Sequence, residues 1–264
     1  MSALAGSRIR RALVTGASSG IGAATVRALV SDGWSVIAVA RRKDALEDLR
    51  AQTGCEVFVA DITSDADVEG LAAWVSTTGG LSALVNNAGA AIGADHVVDA
   101  SSDDWREMLE LNILGTHRVT KALIGQLRES AGRDGVADIV TISSTAGFIS
   151  YEGGGGYNAA KAGLHAMLGA LRLELVGEPI RVVEIAPGMV KTDEFTLKRF
   201  GGDKARTDAL YEGVEAPLTA EDVADVVRYA LSVAPHVNLD LIQLKPLAQA
   251  MQYKLHRGPL APRG

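Results

Sequence analysis

The sequence predicts a doubly wound α/β fold built on a seven-stranded parallel sheet, and three observations point there. Short apolar runs recur along the chain, helical stretches with apolar faces separate them, and a glycine-rich turn follows the first run. Strands buried on both faces read as unbroken apolar runs, and strand–helix alternation places helices on both sides of the sheet. At 264 residues with 47% hydrophobic content, the chain suits one domain over 1–264, large enough to bury a full core.

The elements follow in order. Residues 12–14 are apolar and closed by Thr15-Gly16, and a helix is expected over about 20–31, with Ile21, Ala24, Val26, Leu29 and Val30 on its apolar positions. A second strand at 35–40, a helix at 44–51 and a third strand at 56–60 come next. Residues 64–76 read as a helix opened by an Asp- or Ser-type cap, and 81–85 as strand four. One long helix is expected from 103 to about 129, then strand five at 136–142, a helix through Tyr157 to about 176, and strand six at 180–186. A helix from 220 to about 233 and a strand near 239–244 close the domain. The irregular stretch 191–217 is too long for a plain connection and reads as a substrate lid. The tail, about 248–264, reads as unstructured or as a cover for a neighbour's site.

Chemistry concentrates between Ser143 and Lys161. Tyr157 and Lys161 stand four apart in a helical segment, so their side chains share one face. A free tyrosine titrates near ~10, and a nearby ammonium favours the phenolate, making a usable acid/base. Ser144 ends the fifth strand, where its hydroxyl can bond a substrate oxygen. Tyr151 cannot form the same pair, because Gly155 stands four residues on.

The first turn, Thr15-Gly16-Ala17-Ser18-Ser19-Gly20-Ile21-Gly22, joins strand one to its helix. Glycines there permit close backbone approach, and the helix N-terminus attracts phosphate. An NAD site places a carboxylate at the end of strand two, whereas this chain has Arg41-Arg42. Two guanidinium groups suit a 2′-phosphate, so the expected cofactor is NADP.

Composition sets the outer bounds. A net charge of -6 argues against a general nucleic-acid binder, and no apolar run reaches the ~20 residues of a membrane span. The single cysteine, Cys55, fits a reducing compartment and reads as a buried residue opening a strand. Residues 1–11 carry arginines but no apolar core of a secretory leader, so a cytoplasmic location is expected. The histidines lack metal-ligand spacing.

In this order the motifs resemble the short-chain dehydrogenase/reductase family over nearly the whole chain: Thr15 to Gly22, Asp61, Asn86-Asn87-Ala88-Gly89, Asn112, Ser144, Tyr157 with Lys161, then Pro187-Gly188 with Val190 and Thr192. The resemblance implies a Rossmann fold and a role for each match. Ser144 would polarise the substrate oxygen and Tyr157 transfer the proton. Lys161 would lower the tyrosine pKa and hold the nicotinamide ribose, and Asn112 would anchor a relay water. Gly16, Ser18, Ser19, Gly20, Ile21, Arg41, Arg42, Asp61, Ile62, Asn87, Ala88 and Gly89 would hold the adenosine and phosphates, with Asp61 and Ile62 at adenine and Asn87 at its ribose. Pro187 to Thr192 would take the nicotinamide side.

A narrower resemblance, through Thr192-Asp193-Glu194-Phe195, Arg199 to Asp203, Leu218 to Val223 and Pro235 to Asn238, is to the NADP-dependent 3-hydroxy acid dehydrogenase branch. It implies oxidation of serine, allo-threonine or related acids by a tetramer or dimer, paired through the helix from Asp103 and the Tyr157 helix. A carboxylate substrate needs a cation, and the lid offers Lys191, Lys198, Arg199, Lys204 and Arg206. Two other readings remain open at this stage: a broad carbonyl reductase of secondary metabolism, and an NADP-binding sensor or scaffold without catalysis.

Overall fold

The computed structural model describes residues 10–192 and 194–262. The leader reading for residues 1–9, Asp193 within the lid motif, and the last two residues of the tail therefore lie outside the described residues.

Seven parallel strands form one sheet in the order β3-β2-β1-β4-β5-β6-β7. They are β1 (Arg11–Thr15), β2 (Ser35–Ala40), β3 (Glu56–Val59), β4 (Ala83–Asn86), β5 (Ala137–Ile142), β6 (Ile180–Pro187) and β7 (Leu241–Leu244). The strand order reverses direction between β1 and β4, the switch point where open α/β sheets bind ligands. β1, β4, β5 and β6 are buried along their whole length, which explains their apolar runs.

Helices α1 (Gly20–Ser31), α2 (Lys43–Thr53) and α9 (Ala220–Ser232) cover one face through Val26, Leu29, Leu46, Val223 and Val227. Helices α3 (Asp65–Thr77), α5 (Gly115–Asp134) and α6 (Gly155–Glu174) cover the other through Leu71, Val119, Leu123, Leu164 and Leu168. Local signals set the ends. Ser64 caps α3 by accepting from the Asp67 N–H, and Thr219 with Asp222 forms a capping box on α9. Cys55 is buried just ahead of β3.

Three regions differ from the sequence expectation. The long helix is not one regular α-helix: α4 (Ser102–Leu109) passes into a π turn, Glu110–Leu114, before α5 resumes. Periodicity does not detect one extra residue in a turn, and such bulges recur at functional positions. The stretch 191–217 contains two short helices, α7 (Phe195–Arg199) and α8 (Lys204–Tyr211). The tail forms an antiparallel hairpin, β8 (Gln249–Met251) with β9 (Lys254–Leu255), and Val214 bridges Gly258 beyond it. Both elements are short and held by long-range contacts, so their own sequences carry little sign of them.

The glycine run also has a packing reason. Gly153 turns with φ +70, and at Gly156, inside α6, an added Cβ would lie 2.4 Å from Met108 Cε. Small residues there let α6 close on α4, which fixes where Tyr157 stands.

Candidate active site

A cavity of about 450 Å3 opens along the C-terminal ends of the strands. Gly16, Ser18, Ser19, Gly20, Ile21, Arg41, Arg42, Asp61, Ile62, Asn87, Ala88, Gly89, Ser144, Tyr157, Lys161, Pro187, Gly188, Val190 and Thr192 all line it. Of the residues given a catalytic or cofactor role from sequence, Asn112 alone stands outside the wall.

On one side the backbone does the shaping. Gly16 has φ +65, and a Cβ there would lie 2.8 Å from Ala88 Cα. At Gly22 a Cβ would sit 2.3 Å from Gly16 O. Asn87, expected at a ribose, lines the cavity, and its amide nitrogen donates to Thr15 O at 2.9 Å and Gly16 O at 3.3 Å, bracing the glycine loop. The Ser19 N-cap leaves the first turn of α1 without a side-chain acceptor, so its N–H groups stay open to an anion. Arg42 donates to the Ser18 and Ser19 hydroxyls and to Glu194, and Arg41 stands 3.5 Å from Asp61. The open turn, the close-approach glycines and the arginine pair together fit a dinucleotide carrying a 2′-phosphate.

Asp61 is held chiefly by protein groups. It accepts from the Thr63 N–H and hydroxyl, and although burial pushes its pKa up, those bonds and Arg41 hold it below the usual carboxylate range. Sequence reasoning gave Glu194 no role. Burial alone would raise its pKa, but Arg42 and Lys198 keep it at about 2. The Glu194 carboxylate thereby ties the lid to the arginine side of the cavity.

The reacting groups meet on the opposite wall. Tyr157 and Lys161 are buried on one face of α6, with Lys161 Nζ 5.8 Å from the Tyr157 ring centre. Lys161 donates to Ile142 O at 3.2 Å, and burial lowers its ammonium to about 8, with Glu184 opposing the shift. The expected lowering of the phenol by Lys161 does not appear in this arrangement. Burial, assisted by Tyr151, pushes the Tyr157 phenol up, against smaller opposing effects of Ser144 and Arg199. Desolvation outweighs the local charges, because a phenolate loses more hydration on burial than distant cations restore.

Ser144 sits at the end of β5, where its Oγ accepts from the Ala146 N–H at 3.1 Å. The π turn carries Asn112, whose Nδ2 donates to Ala90 O and Met108 O, both at 2.8 Å. Its Oδ1 is buried without a partner among the described residues. A Cβ on Gly89 would lie 2.6 Å from that Oδ1 and 3.4 Å from Lys161 Nζ, so this glycine keeps a slot between the two. A buried, unpaired amide oxygen beside an ammonium is a natural water acceptor.

The rest of the wall comes from the irregular regions. Phe195 packs edge-on against Tyr157 with ring centres 5.9 Å apart, and Leu210 and Tyr211 follow from α8. Gln252 reaches from the hairpin to the Thr145 hydroxyl. Asn158 holds the loop before α6 by donating to Ala146 O and Ile149 O. Tyr151, set aside by its spacing to Gly155, lines the cavity and accepts from Arg199 at 3.0 Å. Only the adjacency of Tyr151 to the glycine run could have flagged it from sequence.

The family model for short chain dehydrogenase matches residues 10–199. An uncharacterized oxidoreductase of Mycobacterium tuberculosis is 50% identical, over 93% of this chain and 94% of that protein. Serine 3-dehydrogenase of Agrobacterium fabrum is 39% identical, over 90% of this chain and 94% of that protein. Among solved structures, a closed form of serine dehydrogenase complexed with NADP+ superposes with a TM-score of 0.86 at 32% identity, covering 96% of this chain and all of that one. The chain belongs to the short-chain dehydrogenase family, and it is an oxidoreductase of that family.

Proposed function

We propose that the protein is an NADP(H)-dependent oxidoreductase that interconverts the 3-hydroxyl of a 3-hydroxy acid with the carbonyl, the primary alcohol of serine with its aldehyde or the secondary alcohol of allo-threonine with its ketone. One observation carries this reading: Ser144, Tyr157 and Lys161 line the same cavity as the glycine turn and the Arg41–Arg42 pair. The similarity to a serine 3-dehydrogenase and to an NADP+-bound serine dehydrogenase supports the cofactor and the substrate class.

The bound dinucleotide supplies the hydride donor or acceptor at its nicotinamide ring. Gly16 to Ile21 and the open turn of α1 hold the pyrophosphate, and Arg41 and Arg42 take the 2′-phosphate. The Ser144 hydroxyl donates to the substrate oxygen and orients it toward Tyr157. In reduction the phenol, kept protonated by burial, donates its proton to that oxygen; in oxidation the phenolate accepts it. Lys161 positions the ribose and, with the Asn112 oxygen across the Gly89 slot, holds a water that carries the proton onward.

Association is proposed as well. Leu114, Leu173 and Val176 expose apolar side chains at the ends of α5 and α6, which suits pairing of two copies along those helices. Among the described residues no helix is long and apolar enough to cross a membrane.

A second reading, a reductase of neutral ketones, is favoured by the apolar contribution of Ala146, Met189, Phe195 and Leu210 to the wall. The deciding experiment is initial-rate NADP+ reduction with L-serine, L-allo-threonine and 3-hydroxybutyrate, repeated with NAD+. Strong NADP+-linked oxidation of one of these acids is expected. Failure of all acids, with NADPH-linked reduction of neutral ketones, would replace the first reading by the second.

A further inference from the structure

The lid carries five cations, and the structure separates them. Lys204 pairs with Asp208, and Lys198 with Glu194 on the Arg42 side of the cavity. Lys191 lies over the Tyr211 ring and Arg206 over the Phe200 ring, both with exposed side chains outside the cavity wall. Arg199 is different. It is half-buried, it lines the cavity, and no carboxylate lies within ion-pair distance of it among the described residues. Its guanidinium is held by three neutral oxygens: Gly93 O at 3.1 Å, the Tyr151 hydroxyl at 3.0 Å and Gly153 O at 3.1 Å.

A guanidinium has five N–H donors, so two remain after these bonds. Taking a positive charge partly out of water without an anion is unfavourable, and a bound carboxylate would reverse that. The position is also built. Gly153 has φ +70, and a Cβ there would meet Ala94 O at 2.6 Å, so only glycine brings its carbonyl onto the guanidinium in this way. Arg199 ends α7 one turn after Phe195, whose ring packs on Tyr157, so both face the reacting phenol. The charge reaches that far: Arg199 is one of the groups that draw the Tyr157 phenol downward.

We propose that Arg199 is the specificity residue that binds the substrate's carboxylate, with Tyr151 and Gly153 holding it in place. This rests on the 3-hydroxy acid reading, in which one carbon separates the acid group from the reacting carbon. The acid group docks on the two remaining N–H donors while the alcohol oxygen reaches Ser144 and Tyr157. The competing role is that of a strut, since the same three bonds tie the lid to the loops after β4 and before α6.

The test compares wild type, Arg199→Gln and Arg199→Lys in NADP+-linked oxidation of 3-hydroxybutyrate and of its uncharged methyl ester. The ratio of kcat/KM for acid over ester should fall by about 10- to 100-fold in Arg199→Gln, mainly through KM, and by less in Arg199→Lys. Equal losses on both substrates would make Arg199 a strut, and an unchanged ratio would remove it from recognition; either result overturns the proposal. Binding of malonate to the NADPH complex, measured by calorimetry, needs no turnover. Wild-type binding that weakens at least tenfold in Arg199→Gln supports the assignment even if wild type oxidises no acid, in which case only the substrate reading has failed. Equal malonate affinity in both, or none in wild type, overturns it.

Discussion

The two halves of the cavity are built differently. The cofactor half is made of backbone: the turn between β1 and α1, Asn87 pinned to that turn, and strand ends fixed by the sheet register. The substrate half draws on side chains from short elements, α7, α8 and the 249–255 hairpin, tied to the segment between β5 and α6 by contacts such as Arg199 to Tyr151 and Gln252 to Thr145. A site of this kind keeps one reaction while its substrate changes, because the lid can vary without disturbing the sheet.

The largest effect that would break this contrast comes from Gly22→Ala. The added Cβ would sit 2.3 Å from Gly16 O and 2.5 Å from Asn87 Nδ2, with neither partner free to move. A loss of about 3 kcal/mol in stability is expected, together with weak NADPH binding, as read by denaturant unfolding and a fluorescence titration. A variant as stable as wild type would mean the loop is not rigid.

Arg42→Gln probes the charged edge of the same half. It removes donors to Ser18, Ser19 and Glu194 and should reduce the NADP+ over NAD+ preference by about 10- to 100-fold in kcat/KM. An unchanged preference would assign the 2′-phosphate elsewhere.

Lys161→Met tests the strain of holding an ammonium in the core. Its titration is lowered from 10.5 to about 8, so below 8 the folded state carries an unfavourable charge. Between 8 and 10.5 the unfolded chain binds a proton that the folded chain does not, so wild-type stability rises with pH there. The variant should be inactive yet about 1–3 kcal/mol more stable at pH 7, with the advantage shrinking as pH climbs through that window. A destabilised variant at pH 7 would show that the Ile142 bond outweighs desolvation.

The smallest effect is reserved for the lid. Gly201 has φ +60 and open space where a Cβ would go, so Gly201→Ala should lose only ~1 kcal/mol, from backbone strain alone, with NADPH affinity unchanged. Gly22 and Gly201 together measure the difference between a glycine needed for approach and one needed for a turn.

This contrast also explains what the sequence made legible. The sheet, its order of elements and the positions of Tyr157, Lys161 and Ser144 follow from unbroken apolar strands and motifs of fixed spacing, which are local properties. The π turn at Asn112 was not legible, because a single inserted residue leaves the apolar pattern nearly unchanged. Neither were Tyr151, Glu194 and Gln252, whose places depend on partners 48, 152 and 107 residues away. The direction of the Tyr157 shift is hidden for a related reason: spacing places an ammonium nearby but says nothing of how much water the fold removes.

The most direct measurement is a single turnover with Tyr157→Phe. The variant is saturated with NADPH and mixed with the carbonyl compound formed from whichever 3-hydroxy acid the wild type oxidises best, and loss of NADPH absorbance is followed. Removing the hydroxyl that gives up its proton should slow reduction by roughly a thousandfold, as for a lost general acid with its orientation, while NADPH affinity stays within about threefold. Turnover near the wild-type rate with cofactor bound would contradict Tyr157 as the proton donor, and with it the reading of this cavity as the reaction centre.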